Sequence, residues 1–294
     1  MLADRSYKYR VYGLTISSEF EIKELIPCRD DSRVDVTIKY ADLGLLHPKA
    51  MPDFIFSDDR QVIVFPVVGA FVIEGDATVF VEPAASASVD FLAVPLLGPV
   101  LAVLLHLRGL FILHGSAIIH EGKAYGFVGD KGAGKSTLAA MSLKNRDVEF
   151  LTDDLLVVSN EQQALLGYPQ MKLSDEALYH SDQSLGRVRP PPINEFPKNQ
   201  FLLDTQLALD SVPVGGIYEL HRASHMQVEQ NSLQDSIRIL LRYSYIARFA
   251  DREMSRKERR NLFNTTTALA ASGKVKRLYV PDRISELDQV IKIL

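Results

Sequence analysis

Cysteine is almost absent: Cys28 stands alone in 294 residues, which excludes an internal disulfide and suits a reducing compartment. A basic surplus is lacking as well. The net charge of -4 and the pI near 6.0 leave no electrostatic case for a nucleic-acid partner. The opening MLADRSYKYR carries no hydrophobic signal segment. The longest uncharged apolar stretch, Phe91 to Leu105, falls short of the ~20 residues that span a bilayer, and Pro95, Gly98 and Pro99 interrupt it. A buried helix from about Pro99 to Arg108 is expected there, with no membrane partner. No His/Cys spacing suits zinc, and no N-K-x-D string is present to read guanine. What remains is the expectation of a cytoplasmic protein whose 47% hydrophobic and 24% charged residues support one large core or two modest ones.

Against these absences stands one dense motif. Gly129-Asp130-Lys131-Gly132-Ala133-Gly134-Lys135-Ser136 fits G-x-x-x-x-G-K-[ST] at every fixed position. At ordinary residue usage, chance supplies such a string in about one chain in a hundred of this length. The pattern needs a strand before it and a helix after it. Ala124 to Val128 is a short, mostly apolar run, and Ser136 to Asn145 is rich in helix formers. Glycines let successive N–H groups and the helix's positive end face a polyphosphate. Lys135 then reaches the β- and γ-phosphates, and the Ser136 hydroxyl ligates Mg²⁺. The stretch from Gly129 through Thr137 is thus the candidate ATP site, the other reading being a glycine turn that caps a surface helix.

Transfer chemistry also needs a metal-holding carboxylate and a base. Asp153 and Asp154, in FLTDDLLVV, lie between two apolar runs, where an α/β sheet holds ligands at its strand ends. One carboxylate can complete the Mg²⁺ shell while its neighbour accepts the proton of an attacking hydroxyl; a polar turn between hairpin strands is the plainer reading. His114, in LHGSAII before the tight turn HEGK, is expected on a strand beside the one that feeds the glycine loop, within reach of the acidic pair; a hydrogen-bonded structural histidine is the plainer reading.

The organisation changes near residue 90. Before it, Val34, Val36, Ile38 and Tyr40 alternate with polar residues, and QVIVFPVV, AFVIEG and ATVFVEP read as short strands. After it, helices alternate with strands, as in an α/β nucleotide-binding core. The expected division is therefore 1–88, β-rich and a candidate peptide-docking part, and 89–294, catalytic, with PAASAS as the linker. The plainer alternative for 1–88 is that its strands complete the core or a homo-oligomer interface. Gln183 to Lys198, with five prolines or glycines, reads as a long loop of the kind that forms lids. Arg187, Arg189 and Lys198 on that loop are candidate sources of transition-state charge, a solvated loop cation being the plainer reading of each. DREMSRKERR, residues 251–260, reads as a solvated basic helix face or a dock for an acidic peptide.

HGSAIIHEGKAYGFVGDKGAGKS, followed by FLTDD, resembles the catalytic core of the HPr kinase/phosphorylase family. YRVYGLTISSEFEI, GYPQMKLSDEAL, PVGGIYEL, LLRYSYIARF and RLYVPDRISELDQVI resemble a subgroup of HPr-kinase-like serine kinases associated with lasso-peptide biosynthesis. The resemblance implies an α/β P-loop core of the HPr kinase and PEP carboxykinase type with an N-terminal β-rich part. It implies ATP and Mg²⁺ as cofactors, and a precursor peptide or small protein with an acceptor Ser as partner. By the same resemblance Gly129, Gly134 and Lys135 hold the phosphates and Ser136 and Asp154 the metal. Asp153 is then the general base, and His114 positions it. The glycine-arginine-rich stretch of HPr kinases is not found where this chain has RVRPPPINEFPKNQF, so the resemblance stops short of HPr recognition and of the reverse phosphorolysis. A nucleotide-gated switch and a small-molecule kinase are the alternative functions; a switch needs a metal ligand but no acceptor base.

Overall fold

The computed structural model describes residues 6–28, 32–46, 53–57, 59–191, 198–205, 210–249 and 255–294. Within them the chain is a mixed α/β protein. Its first part is a sheet of β1 (Tyr7–Val11), β2 (Leu14–Ser18), β3 (Ile26–Pro27), β4 (Val36–Tyr40), β5 (Asp53–Phe56), β6 (Arg60–Phe65), β7 (Gly69–Glu74) and β8 (Thr78–Pro83). Their spatial order is β3-β1-β2-β4-β8-β7-β6-β5. Period-2 patterning sets the faces: Val36 and Ile38 are buried, while Lys39 is exposed. β6 and β7 are apolar on both faces because both are covered. Ile63, Phe71 and Ile73 enter the main core, whereas Val62, Val64, Ala70 and Val72 pack under Leu43, Leu45 and Leu46.

The apolar stretch that follows is helical from Val89, not only from Pro99. Ser88 caps it by accepting the Phe91 N–H. α1 (Val89–Pro95) passes through a π turn at Leu96–Val100 into α2 (Leu101–Leu107). Pro95 and Pro99 remove backbone donors, and Gly98 takes up the resulting bend at φ -100°, ψ -106°. The whole run, Val89–Leu107, is 19 residues of mean hydropathy 2.0, long and apolar enough to cross a membrane by those two measures, and 67% of it is buried inside the protein. It packs on the first sheet. Leu92, Leu96 and Leu104 share one cluster with Tyr9, Ile16 and Ile38, and also with Ile112, Leu155 and Val157 farther along the chain.

The expected boundary at residue 88 thus falls between β8 and α1, yet a single core crosses it. Each large apolar side chain uncovered there costs about 1.5–3 kcal/mol. A chain starting at Val89 is therefore expected to aggregate or to lose cooperative unfolding, as read by size exclusion and thermal circular dichroism. A soluble monomer with an undiminished transition would contradict the shared core.

The second part begins with β9 (Phe111–His120) and β10 (Lys123–Val128), followed by α3 (Lys135–Ser142), β11 (Val148–Thr152), β12 (Leu155–Val158) and β13 (Gln163–Leu165). Then come β14 (Gln170–Leu173), α4 (Asp175–His180), β15 (Gly186–Arg189), β16 (Asn199–Leu203), β17 (Ser211–Arg222) and β18 (Gln227–Gln230). α5 (Leu233–Tyr243), α6 (Arg256–Ala271) and β19 (Val275–Val280) follow. β9 is long enough to serve two neighbourhoods: Phe111–His114 pairs with β12, and Gly115–His120 pairs with β10 and β11. β17 likewise pairs with β13 at its start and, in parallel, with β10 and β19 beyond.

Gln183–Lys198 is not one loop. Gly186–Arg189 is a strand, β15, paired with β16 beside β14 in a small sheet of its own. Gly186 lies so close to the Leu202 carbonyl that a Cβ would clash. Pro192 to Pro197 lie outside the described residues. Of the basic run 251–260, the first four lie outside them too, and the rest open α6, capped by Ser255 and Glu258 in a reciprocal box.

Candidate active site

Two strand ends and one loop converge here. Glu121 and Gly122 turn β9 into β10 at φ 49° and 70°, so His114 and Ser116 lie on the strand beside the one that enters the glycine loop. The loop joins β10 to α3. Gly132 and Gly134 adopt φ 87° and 96°, a region in which L side chains are strained. A Cβ at Gly134 would also stand 2.7 Å from the Arg222 guanidinium. Asp130, Lys131 and Gly132 are exposed, and the Ala133 N–H closes a turn on the Asp130 carbonyl at 3.1 Å. Lys135 is buried at the head of α3, where its ammonium donates to the carbonyls of Gly129 (2.9 Å) and Asp130 (3.2 Å). Ser136 and Thr137 follow in the first helical turn, half-buried.

Asp153 and Asp154 form the turn between β11 and β12. Asp154 sits at φ 68°, unusual for a residue with a side chain. Tyr12, in the turn between β1 and β2, donates to the Leu155 carbonyl and meets Thr152 Oγ1, both at 3.1 Å, anchoring this turn. The turn sends the two carboxylates to different partners. Asp153 is buried and held by three donors: Ser116 Oγ at 2.5 Å and Ser136 Oγ at 2.9 Å on Oδ1, and the Lys172 N–H at 2.9 Å on Oδ2. Asp154 instead pairs with the Lys172 ammonium at 2.6 Å, and its own carbonyl lies 3.2 Å from His114 Nδ1. His114 thus meets the Asp154 backbone, and its charge acts on the Asp154 carboxylate.

The electrostatics differ accordingly. Burial, and after it the Asp154 charge, push the Asp153 carboxyl up, against the pull of its hydroxyl and amide donors. Burial acts in the same direction on Asp154, but the charges of Lys172 and His114 outweigh it and hold that group down to about 2. Asp154 is thus ionised throughout the ordinary pH range. Among the described residues no three His, Cys, Asp or Glu side chains cluster as a metal cage. Mg²⁺ does not require one, since it takes one or two protein oxygens and completes its shell with water and substrate phosphates. The adjacent oxygens of Ser136 and Asp153 are a hard donor pair of that kind.

Beside Asp154, His114 and Lys172 opens a pocket of about 440 Å³, walled by the first sheet, α1 and the segment Tyr245–Phe249. Among the loop cations, Arg189 is bound elsewhere, 3.0 Å from Glu24 and 3.1 Å from Asp90. Arg187 lines a separate groove along β3. Lys198 is the one whose charge is felt at Asp154. Sequence reasoning did not single out Lys172, Ser116, Arg222 or Arg242. Arg242, on α5, bridges to Asp130 of the glycine loop at 2.8 Å. A Lys inside GYPQMKLSDEAL carries no local signal; only the crossing of β14 beside the β11–β12 turn brings it in. Compared with known proteins, the chain matches no family model and no curated protein sequence.

Proposed function

We propose that the chain is an ATP/Mg²⁺-dependent kinase, of the HPr-kinase-like type, that phosphorylates a serine hydroxyl of a precursor peptide or small protein in the cytoplasm. One observation carries this reading. The Ser136 hydroxyl, first in line after the glycine loop, donates to Asp153, while the adjacent Asp154 is turned to a pocket that can admit an acceptor. A metal-side carboxylate and an acceptor-side carboxylate are the two roles that phosphoryl transfer needs.

The proposal exchanges the two aspartate roles that the resemblance implies. Ser136 and Asp153 would hold Mg²⁺, which, when bound, neutralises charge across the β- and γ-phosphates. The backbone N–H groups of Gly129–Gly134 and the Lys135 ammonium bind the triphosphate. Asp154 orients the serine hydroxyl and accepts its proton as the Oγ–P bond forms and the bond from the γ-phosphorus to the ADP oxygen breaks. Its low basicity is tolerable because a loose transition state demands little nucleophile activation, so position matters more than base strength. Lys172 and His114 keep Asp154 ionised and fixed. Incubation with ATP, Mg²⁺ and candidate precursor peptides, followed by mass mapping, should show an 80 Da gain (about the mass of HPO₃) on a serine, with ADP in equal amount. ADP and free phosphate produced without a modified peptide would favour a nucleotide switch instead.

A further inference from the structure

We propose that the aromatic pocket over Asp154 is the acceptor subsite, and that it selects a peptide serine whose neighbouring residue bears a bulky apolar side chain. This deepens the kinase reading and rests on it. Among the described residues, the ionic groups that line the pocket are Asp154, Lys172 and His114, all at its floor, and the first two are paired with each other at 2.6 Å. The walls are hydrocarbon. Phe54 and Phe65 come from the first sheet, Phe91 and Val94 from α1, and Tyr245 and Phe249 from the segment after α5. The rings brace one another before any ligand arrives: Phe54 meets Phe249 at 5.0 Å between centroids and Phe65 edge-on at 5.7 Å. Phe54 is nevertheless 36% exposed, an apolar surface left open beside a polar floor.

Size and charge narrow the occupant. A volume of about 440 Å³ lies in the lower part of the range for small-ligand sites and admits one or two residues of an extended chain, not a folded protein surface. A charged side chain laid against those walls loses water to rings that offer it no partner among the described residues, so Lys, Arg, Asp and Glu beside the acceptor are disfavoured. An acceptor that places its hydroxyl on the floor and an apolar side chain against the rings satisfies both. The first sheet thereby acquires a role in recognition, since Phe54 and Phe65 of the wall belong to it.

The test uses the full chain with ATP and Mg²⁺ and two peptide series, acetyl-Ala-Xaa-Ser-Ala-amide and acetyl-Ala-Ser-Xaa-Ala-amide, with Xaa as Phe, Leu, Ala, Lys or Asp. In at least one series the Phe or Leu peptide is expected to exceed the Ala peptide in kcat/KM by about tenfold or more, with Lys and Asp below Ala. Ligand-detected NMR should show the same order in binding without turnover. Val94→Phe, which fills the pocket, and Phe249→Ala, which opens it at its rim, should each flatten the preference; ATP binding in the same samples serves as the folding control. Equal turnover across both series, a preference for a charged neighbour, or phosphorylation of a small alcohol such as N-acetylphenylalaninol with no peptide modified would overturn the proposal. Bound ATP with no member of either series modified would overturn it too. Absence of ATP binding by the unaltered chain would strike the kinase reading itself, and this inference with it.

Discussion

Lys135→Ala is expected to lower phosphoryl transfer by about 10²–10⁴, the rate equivalent of about 3–5 kcal/mol of charge stabilisation. The physical reason is local. Lys135 is the buried cation at the head of α3, and its ammonium already lies against the loop that would hold the triphosphate. Arg222, which abuts Gly134, is held by the Pro281 carbonyl at 2.9 Å. Because Lys135 also ties Gly129 and Asp130, the variant's melting temperature must be read beside its rate. A well-folded variant that kept more than about a tenth of the wild-type turnover would remove Lys135 from the chemistry.

Asp154→Asn and Asp153→Asn are expected to fail in different ways. Asn preserves shape but accepts no proton. At position 154 the substitution should reduce peptide phosphorylation by about 10²–10⁴ while ATP·Mg²⁺ affinity is kept. At position 153 it should raise the Mg²⁺ concentration needed for half-maximal activity by about tenfold or more, because Ser136 loses its anionic partner. Mg²⁺ titrations of both variants, with nucleotide affinity measured separately, decide the matter. The opposite pattern would restore the assignment that the resemblance implies, with Asp153 as base and Asp154 on the metal.

The parts of this arrangement that were legible in the sequence are those set by short-range chemistry. The strand, glycine loop and helix from Lys123 to Ser142 follow from glycines at positive φ and an uninterrupted run of helix formers. The β9–β10 hairpin follows from its Glu-Gly turn. The parts that were not legible depend on residues far apart in sequence. Phe54, Phe91, Asp154 and Phe249 meet around one pocket only because the first sheet, α1 and the β11–β12 turn share a core. Which aspartate faces Ser136 depends on Ser116 and the Lys172 N–H, which hold Asp153 from elements distant in sequence. Pro95 and Pro99 read as helix breakers, but a π turn at Gly98 absorbed them, and the Gly and Pro content of 183–198 hid the short strand β15 between a 3₁₀ turn and Pro190.

The claim on which everything else depends is that a nucleoside triphosphate sits on the loop between β10 and α3. Hydrogen–deuterium exchange of the full chain, with and without ATP and Mg²⁺, locates the ligand directly and needs no substitution. The account predicts slowed exchange concentrated in peptides covering 129–137 and 150–156, dependent on Mg²⁺. Unchanged exchange in both segments at saturating ATP·Mg²⁺, or protection confined to the groove along β3, would contradict it.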